Sequence, residues 1–196
     1  MKDKTKEMEK VKKAVIQCQK CPLHKTRTFP VVGQGNHQAK IIFIGEGPGA
    51  NEDKTGIPFC GQSGNILDEL FESIGYRRED AYICNILKCR PPNNRNPERN
   101  EIESCTLHLE KQIEIIKPKI IAPLGNYAMN FILEKYRLKD RIEGISKIHG
   151  KAFQIDQMKI IPLYHPAVAV YNANMKDNLK KDFKILKKWL DQGKED

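Results

Sequence analysis

No apolar stretch in this 196-residue chain approaches the length needed to cross a bilayer, so no membrane partner is expected. The opening MKDKTKEMEKVKK lacks the apolar core of a secretory signal, which makes a cytoplasmic location the expectation. Disulfides are rare in that compartment, so a metal or cluster held by cysteines reads more naturally than three bridges among the six. The chain also lacks internal repeats, low-complexity tracts and linkers, and a single domain over residues 1–196 is expected. No Gly-Lys-Ser/Thr follows its glycine-rich stretch, which excludes a P-loop. Acidic side chains are the minority, 25 Asp and Glu against 34 Lys and Arg, for a formal charge of +9. A basic surface favours polyanions, most simply nucleic acid, but composition alone does not select them.

What the chain does have is a cysteine pattern. Cys18 and Cys21 form CQKC, and Cys89 and Cys105 follow much later, giving C-x2-C…C-x15-C. Thiolates hold a soft metal or an iron–sulfur cluster, and a CxxC turn aims two sulfurs at one centre. A shared centre would staple the N-terminal segment to the middle of the fold. Cys60 and Cys84 fall outside the spacing, and Cys84, in the apolar run AYICNIL, reads as a small buried residue. Zinc and an iron–sulfur cluster both suit four cysteines, and the spacing does not choose between them.

Four short apolar runs punctuate the sequence: Lys40–Gly45, Ala81–Leu87, Lys119–Gly125 and Lys159–His165. They are continuous rather than alternating, the pattern of strands covered on both faces of a parallel sheet. Helical spacing lies between them at Ile66–Ile74, Glu98–Lys117, Tyr127–Tyr136 and Asn178–Leu190. The expectation is a three-layer α/β/α fold around a central, mainly parallel four-stranded sheet. Ligands of such sheets bind beyond the carboxyl ends of the strands. Three suggestive segments fall there: GEGPG from Gly45, Asn85, and His165-Pro166.

GEGPGANED meets a dinucleotide fingerprint at Gly45, Gly47 and Ala50, but Glu46, Glu52 and Asp53 put carboxylates where a pyrophosphate would sit. It reads either as a plain β-to-α turn or as a pocket floor with a carboxylate facing the ligand. Phe59, alone in the loop GIPFCGQSG, is either a stacking platform or a loop anchor. Asn85 interrupts an apolar strand, and its carboxamide needs partners, either backbone groups or the edge of a base. Arg90, Arg95 and Arg99, spaced by Asn and Pro between the third and fourth cysteines, suit phosphate contacts or a solvated loop.

Taken together, Cys18-x-x-Cys21, Gly33-x-Gly35, GEGPGANED with GIPFCGQSG, Asn85, Cys89-Arg90-Pro91-Pro92, Cys105 and His165-Pro166-Ala167 resemble the family 4, iron–sulfur uracil-DNA glycosylases over nearly the whole chain. The resemblance implies a 4Fe–4S cluster on Cys18, Cys21, Cys89 and Cys105, removal of uracil from single- or double-stranded DNA, and a monomer. It implies a uracil site made of Glu46, Gly47, Phe59, Asn85 and His165. In this site Asn85 reads N3–H and O4, and His165 acts on O2. Glycosylases with a GQDPYH loop carry an Asp where this chain has Gly47, so Glu46 is the nearest replacement for positioning water. Glu52 would crowd the uracil C5 position against thymine. The chain departs from the family after HPA, with Val170-Tyr171 in place of the frequent Leu-Arg that would wedge into the duplex. It also has no His between Arg90 and Asn100, where a relative that traps DNA covalently carries one, so turnover is expected.

Overall fold

The structure, a computed structural model, describes residues 3–192. Strands β1 (Gln34–Gly35), β2 (Ile41–Gly45), β3 (Tyr82–Asn85), β4 (Ile120–Pro123), β5 (Phe153–Ile155) and β6 (Met158–Ile160) form one sheet in the order β1-β3-β2-β4-β6-β5. The four central strands are parallel, while β1 and β5 are antiparallel edges. The expected four-stranded parallel core is therefore present inside a sheet of six. The last apolar run reaches His165, but its strand stops at Ile160, because Pro162 has no N–H to give to a ladder. The chain still follows β4 beyond that point, through Ile161 N–H to Ile121 O and Leu163 N–H to Pro123 O, both 2.9 Å.

Helices cover both faces, as continuous burial of the central strands requires. Ile41 and Phe43 point to one side, where they meet α3 (Gln62–Glu72), α7 (Ala167–Tyr171) and α8 (Met175–Gln192). Ile42 and Ile44 point to the other, against α1 (Lys4–Ile16), α4 (Arg99–Ile116), α5 (Gly125–Lys135) and α6 (Ile145–Ile148). The short α2 (Ala50–Thr55) follows β2 directly. On the first face Phe43 meets Phe71 edge-on at 5.0 Å and stacks with Phe183 at 5.8 Å. Truncating such a buried ring to Ala typically costs about 3–5 kcal/mol.

The strand order reverses direction on either side of β2, and the β2–β3 register ends with Gly45 opposite Asn85. That level is where the turns after β2 and β3 and the segment after β6 come together.

Candidate active site and thiol centre

These three segments, with the loop before α3 and the loop before α4, enclose a cleft of about 430 Å³. Glu46, Gly47, Glu52, Phe59, Asn85, Arg95 and His165 line it; Arg90 and Arg99 do not. Asn85 is 2% exposed and borders the cleft. Gly45 makes room for it: a Cβ there would collide with Asn85 Oδ1 and with the Phe59 ring. The main chain of Asn85 is held from behind. The Lys88 ammonium, itself buried, donates to the Asn85 carbonyl at 2.8 Å and to Gln112 Oε1 at 2.7 Å. Gln112 donates in turn to Val32 O and Tyr82 Oη. Those bonds offset part of the cost of burying a charge.

Phe59 sits at φ 51°, a left-handed conformation that costs an L-residue about 1–2 kcal/mol. Its buried ring lies 5.5 Å from the His165 ring at 26°, close to stacked. Backbone strain at a cleft-lining aromatic is the kind of cost that persists where the surroundings enforce a geometry.

His165 Nδ1 accepts the Ala167 N–H at 3.1 Å. In the neutral ring the proton is therefore on Nε2, the tautomer that makes Nε2–H a donor. Burial lowers the imidazole pKa to about 4, so the ring is neutral around pH 7. Glu46 moves the opposite way, its carboxyl raised above the usual range by burial. Glu52, from α2, also faces the cleft, whereas Asp53 is turned away and accepts the Thr28 N–H at 3.0 and 3.2 Å. Two carboxylates on the rim leave the glycine turn poorly suited to a pyrophosphate.

All three arginines of the loop already have protein partners. Arg95 forks onto the buried Glu101 carboxylate at 2.6 and 2.9 Å, and this bonding holds the Glu101 pKa down. Glu101 also accepts the Glu98 N–H at the start of α4, so the pair ties the loop to the helix. Arg90 donates to Asn94 Oδ1, and the exposed Arg99 pairs with Glu103. An exposed pair of that kind is weak enough to exchange for a phosphate. At the rim of the cleft Tyr171, 89% exposed, closes α7.

A second, small pocket is bordered by Cys18, Cys21, Cys89 and Cys105. Cys60 is exposed beside Thr55, and Cys84 is buried in the sheet. Cys21, Cys89 and Cys105 each feel neighbouring thiols. Burial pushes Cys105 up to about 12, and the neighbouring Cys89 and Cys21 add to that shift. Cys21 and Cys89 are raised for the same first reason. Cationic and N–H groups surround them: Arg27 donates to Cys89 Sγ and the Lys88 N–H to Cys105 Sγ, each at 3.2 Å. His108 borders the same cavity with a buried Nε2 that has no partner among the described residues. Among the described residues no three His, Cys, Asp or Glu side chains are grouped to hold a single metal ion. Four sulfurs lining one cavity, with cations and an unpaired nitrogen around it, fit a thiolate-bound cluster that carries negative charge.

Arg27, Lys88, Gln112 and His108 had little signal in the sequence beyond the nearness of Arg27 and Lys88 to cysteines. Their roles depend on contacts as distant as Arg27 to Cys89.

Residues 32–190 match the family model of the uracil DNA glycosylase superfamily. The chain is 42% identical to a type-4 uracil-DNA glycosylase of Archaeoglobus fulgidus, covering 90% of each protein. It is 44% identical to one from Saccharolobus solfataricus, covering 90% of this chain and 83% of the relative. A third, from Thermotoga maritima, is 45% identical with 85% of each covered. Long matches at such identity, on a fold that gathers Glu46, Phe59, Asn85 and His165 at one cleft, place this chain in the uracil DNA glycosylase superfamily, among the type-4 uracil-DNA glycosylases.

Proposed function

We propose that this protein hydrolyses the N-glycosidic bond of uracil in DNA, the product of cytosine deamination, and so begins base excision repair. The observation that carries the reading is the meeting of Asn85, Phe59, His165 and Glu46 in one cleft beyond the carboxyl ends of parallel strands. The substrate is single- or double-stranded DNA containing uracil. Extruding the base costs a few kcal/mol, least where it is already mispaired. Arg90 and Arg99 meet backbone phosphates, and Arg95 acts through the loop it fixes to Glu101.

Uracil lies against the Phe59 ring, giving N3–H to Asn85 and accepting at O4 from the same amide. Cytosine carries the reverse pattern at those two atoms. As the bond between N1 and C1′ breaks, electrons pass into the uracil ring and charge grows on O2. The His165 Nε2–H meets that charge without giving up its proton, a donor contribution of about 3–4 kcal/mol. The Glu46 carboxylate orients water, whose oxygen bonds to C1′ and whose proton passes to the carboxylate. Glu52 stands near C5 and keeps a methyl group out.

Cys18, Cys21, Cys89 and Cys105 hold a 4Fe–4S cluster in this reading, supported by the shared cavity and its cationic rim. When bound, the cluster supplies a covalent tie among three segments rather than chemistry on uracil. The deciding experiment incubates iron-loaded protein with uracil-containing oligonucleotides and measures free uracil. Release that is lost in His165→Ala supports the reading. Binding without release makes the protein a nucleic-acid binder and overturns it.

A further inference from the structure

We propose that Arg78 is a positioning residue of the uracil site, its guanidinium locking the strained backbone that turns Phe59 into the cleft. The proposal rests on Phe59 being the stacking face for uracil. Arg78 lies in the short turn before β3 and is not among the residues of the cleft. Its Nη2 donates to the Phe59 carbonyl at 2.5 Å and its Nη1 to the Pro58 carbonyl at 3.1 Å. Nη2 also reaches the Gly64 carbonyl at 3.4 Å, while Nε donates to Asp68 Oδ1 at 2.5 Å. One planar fork thus grips two consecutive carbonyls at the left-handed residue and is itself anchored to α3. The first turn of α3 backs the same carbonyl, since a Cβ on Gly64 would collide with Phe59 O.

The consequence is a division of labour. Phe59 meets the base, and nothing in its own side-chain chemistry explains a positive φ. The guanidinium favours that conformation by satisfying carbonyls that only this turn points at it. Without it the residue relaxes toward an ordinary backbone region and the ring moves relative to His165. Lysine is a poor substitute, because a point charge on a flexible stem does not hold Asp68 and two carbonyls together.

A double-mutant cycle on the full-length, iron-loaded protein tests this. Single-turnover excision from a single-stranded uracil oligonucleotide is measured for wild type, Arg78→Met, Phe59→Leu and the double variant. Arg78→Met is expected to slow excision about 10- to 100-fold, the scale of a displaced binding group. The double variant is expected to be no slower than Phe59→Leu alone, because residues acting as one unit are not additive. Iron content confirms that each variant is folded, and Arg78→Lys replaces Arg78→Met if the latter fails to fold. Independent, multiplying effects of the two substitutions overturn the proposal, as does a normal rate in Arg78→Met. A normal rate in Phe59→Leu overturns the stacking reading beneath it, and that outcome is distinct because it appears in the single variant.

Discussion

In the proposed mechanism His165 serves because it is hard to protonate. A hydrogen-bond donor to a developing anion must hold its own proton without carrying a full charge that would bind the ground state equally well. Burial supplies that condition, and the Ala167 N–H selects the tautomer. His165→Ala is expected to slow single-turnover excision about 10²–10³-fold while DNA affinity at matched salt stays within about twofold. Unchanged chemistry with collapsed affinity would make it a binding residue. The same shift has a sign for stability. An unfolded histidine takes its proton near pH 6.5 and the folded one only near 4, so the folded state binds fewer protons in between. Its contribution is full above about pH 6.5 and is lost as pH falls toward 4. The melting temperature of His165→Ala should fall less steeply than that of wild type over this window. If Glu46 positions the water as proposed, it is expected to set the acid limb of activity, with an inflection above the ordinary carboxylate range because burial favours its protonated form. In Glu46→Gln the residual rate should lose that inflection; an unchanged profile would remove Glu46 from the water-positioning role.

At the scale of elements, α7 and the loop before α4 form two walls of the cleft, and each carries a distinct demand. Tyr171 ends α7 almost fully exposed at the rim of the cleft. If Tyr171 fills the gap left by an extruded base, it matters only where a stack has to be replaced. Tyr171→Ala is therefore expected to slow excision from a U·A duplex about tenfold and to leave single-stranded substrate within twofold. Equal losses on both substrates would assign Tyr171 to base binding instead. Asn85 belongs to a strand end rather than a loop, so its backbone is fixed by Gly45 on one side and Lys88 on the other. Asn85→Ala should abolish most excision while iron content remains at the wild-type level. Substantial excision by a folded Asn85→Ala protein would return the residue to a structural part.

For the whole molecule, the proposed cluster would link what the sheet alone does not. Cys18 and Cys21 follow α1, Cys89 follows β3, and Cys105 lies within α4. The segment between the last two contains Pro91, Asn94, Arg95 and Pro97 of the cleft wall. Without a bound centre, buried thiols with raised pKa values would simply stay protonated, and only packing would hold the wall. Cys89→Ser is expected to lose iron, lower the melting temperature and open residues 90–98 to proteolysis, with excision falling in parallel. Wild-type iron in that variant, or zinc in place of iron in the native protein, would refute the cluster assignment.

The sequence by itself determined the parallel core of the sheet, because strands buried on both faces must be continuously apolar, as Ile41–Ile44 and Ile120–Ala122 are. Spacing of single residue types likewise marked the four cysteines, and their places in or at the end of apolar runs marked Asn85 and His165. It left β1 and β5 unseen, since edge strands of two and three residues carry too few side chains for any periodicity to register. The amphipathic α1 also went unread, although Met8, Val11 and Val15 recur at helical spacing, because lysines and glutamates dilute them. Only the tertiary structure decided which arginines are committed. Arg95 turns to a buried glutamate, Arg27 to a cysteine sulfur and Arg78 to the carbonyls behind Phe59. A long cationic side chain reads the same wherever it occurs in a sequence, and its role is set by the one acceptor that folding brings within its reach.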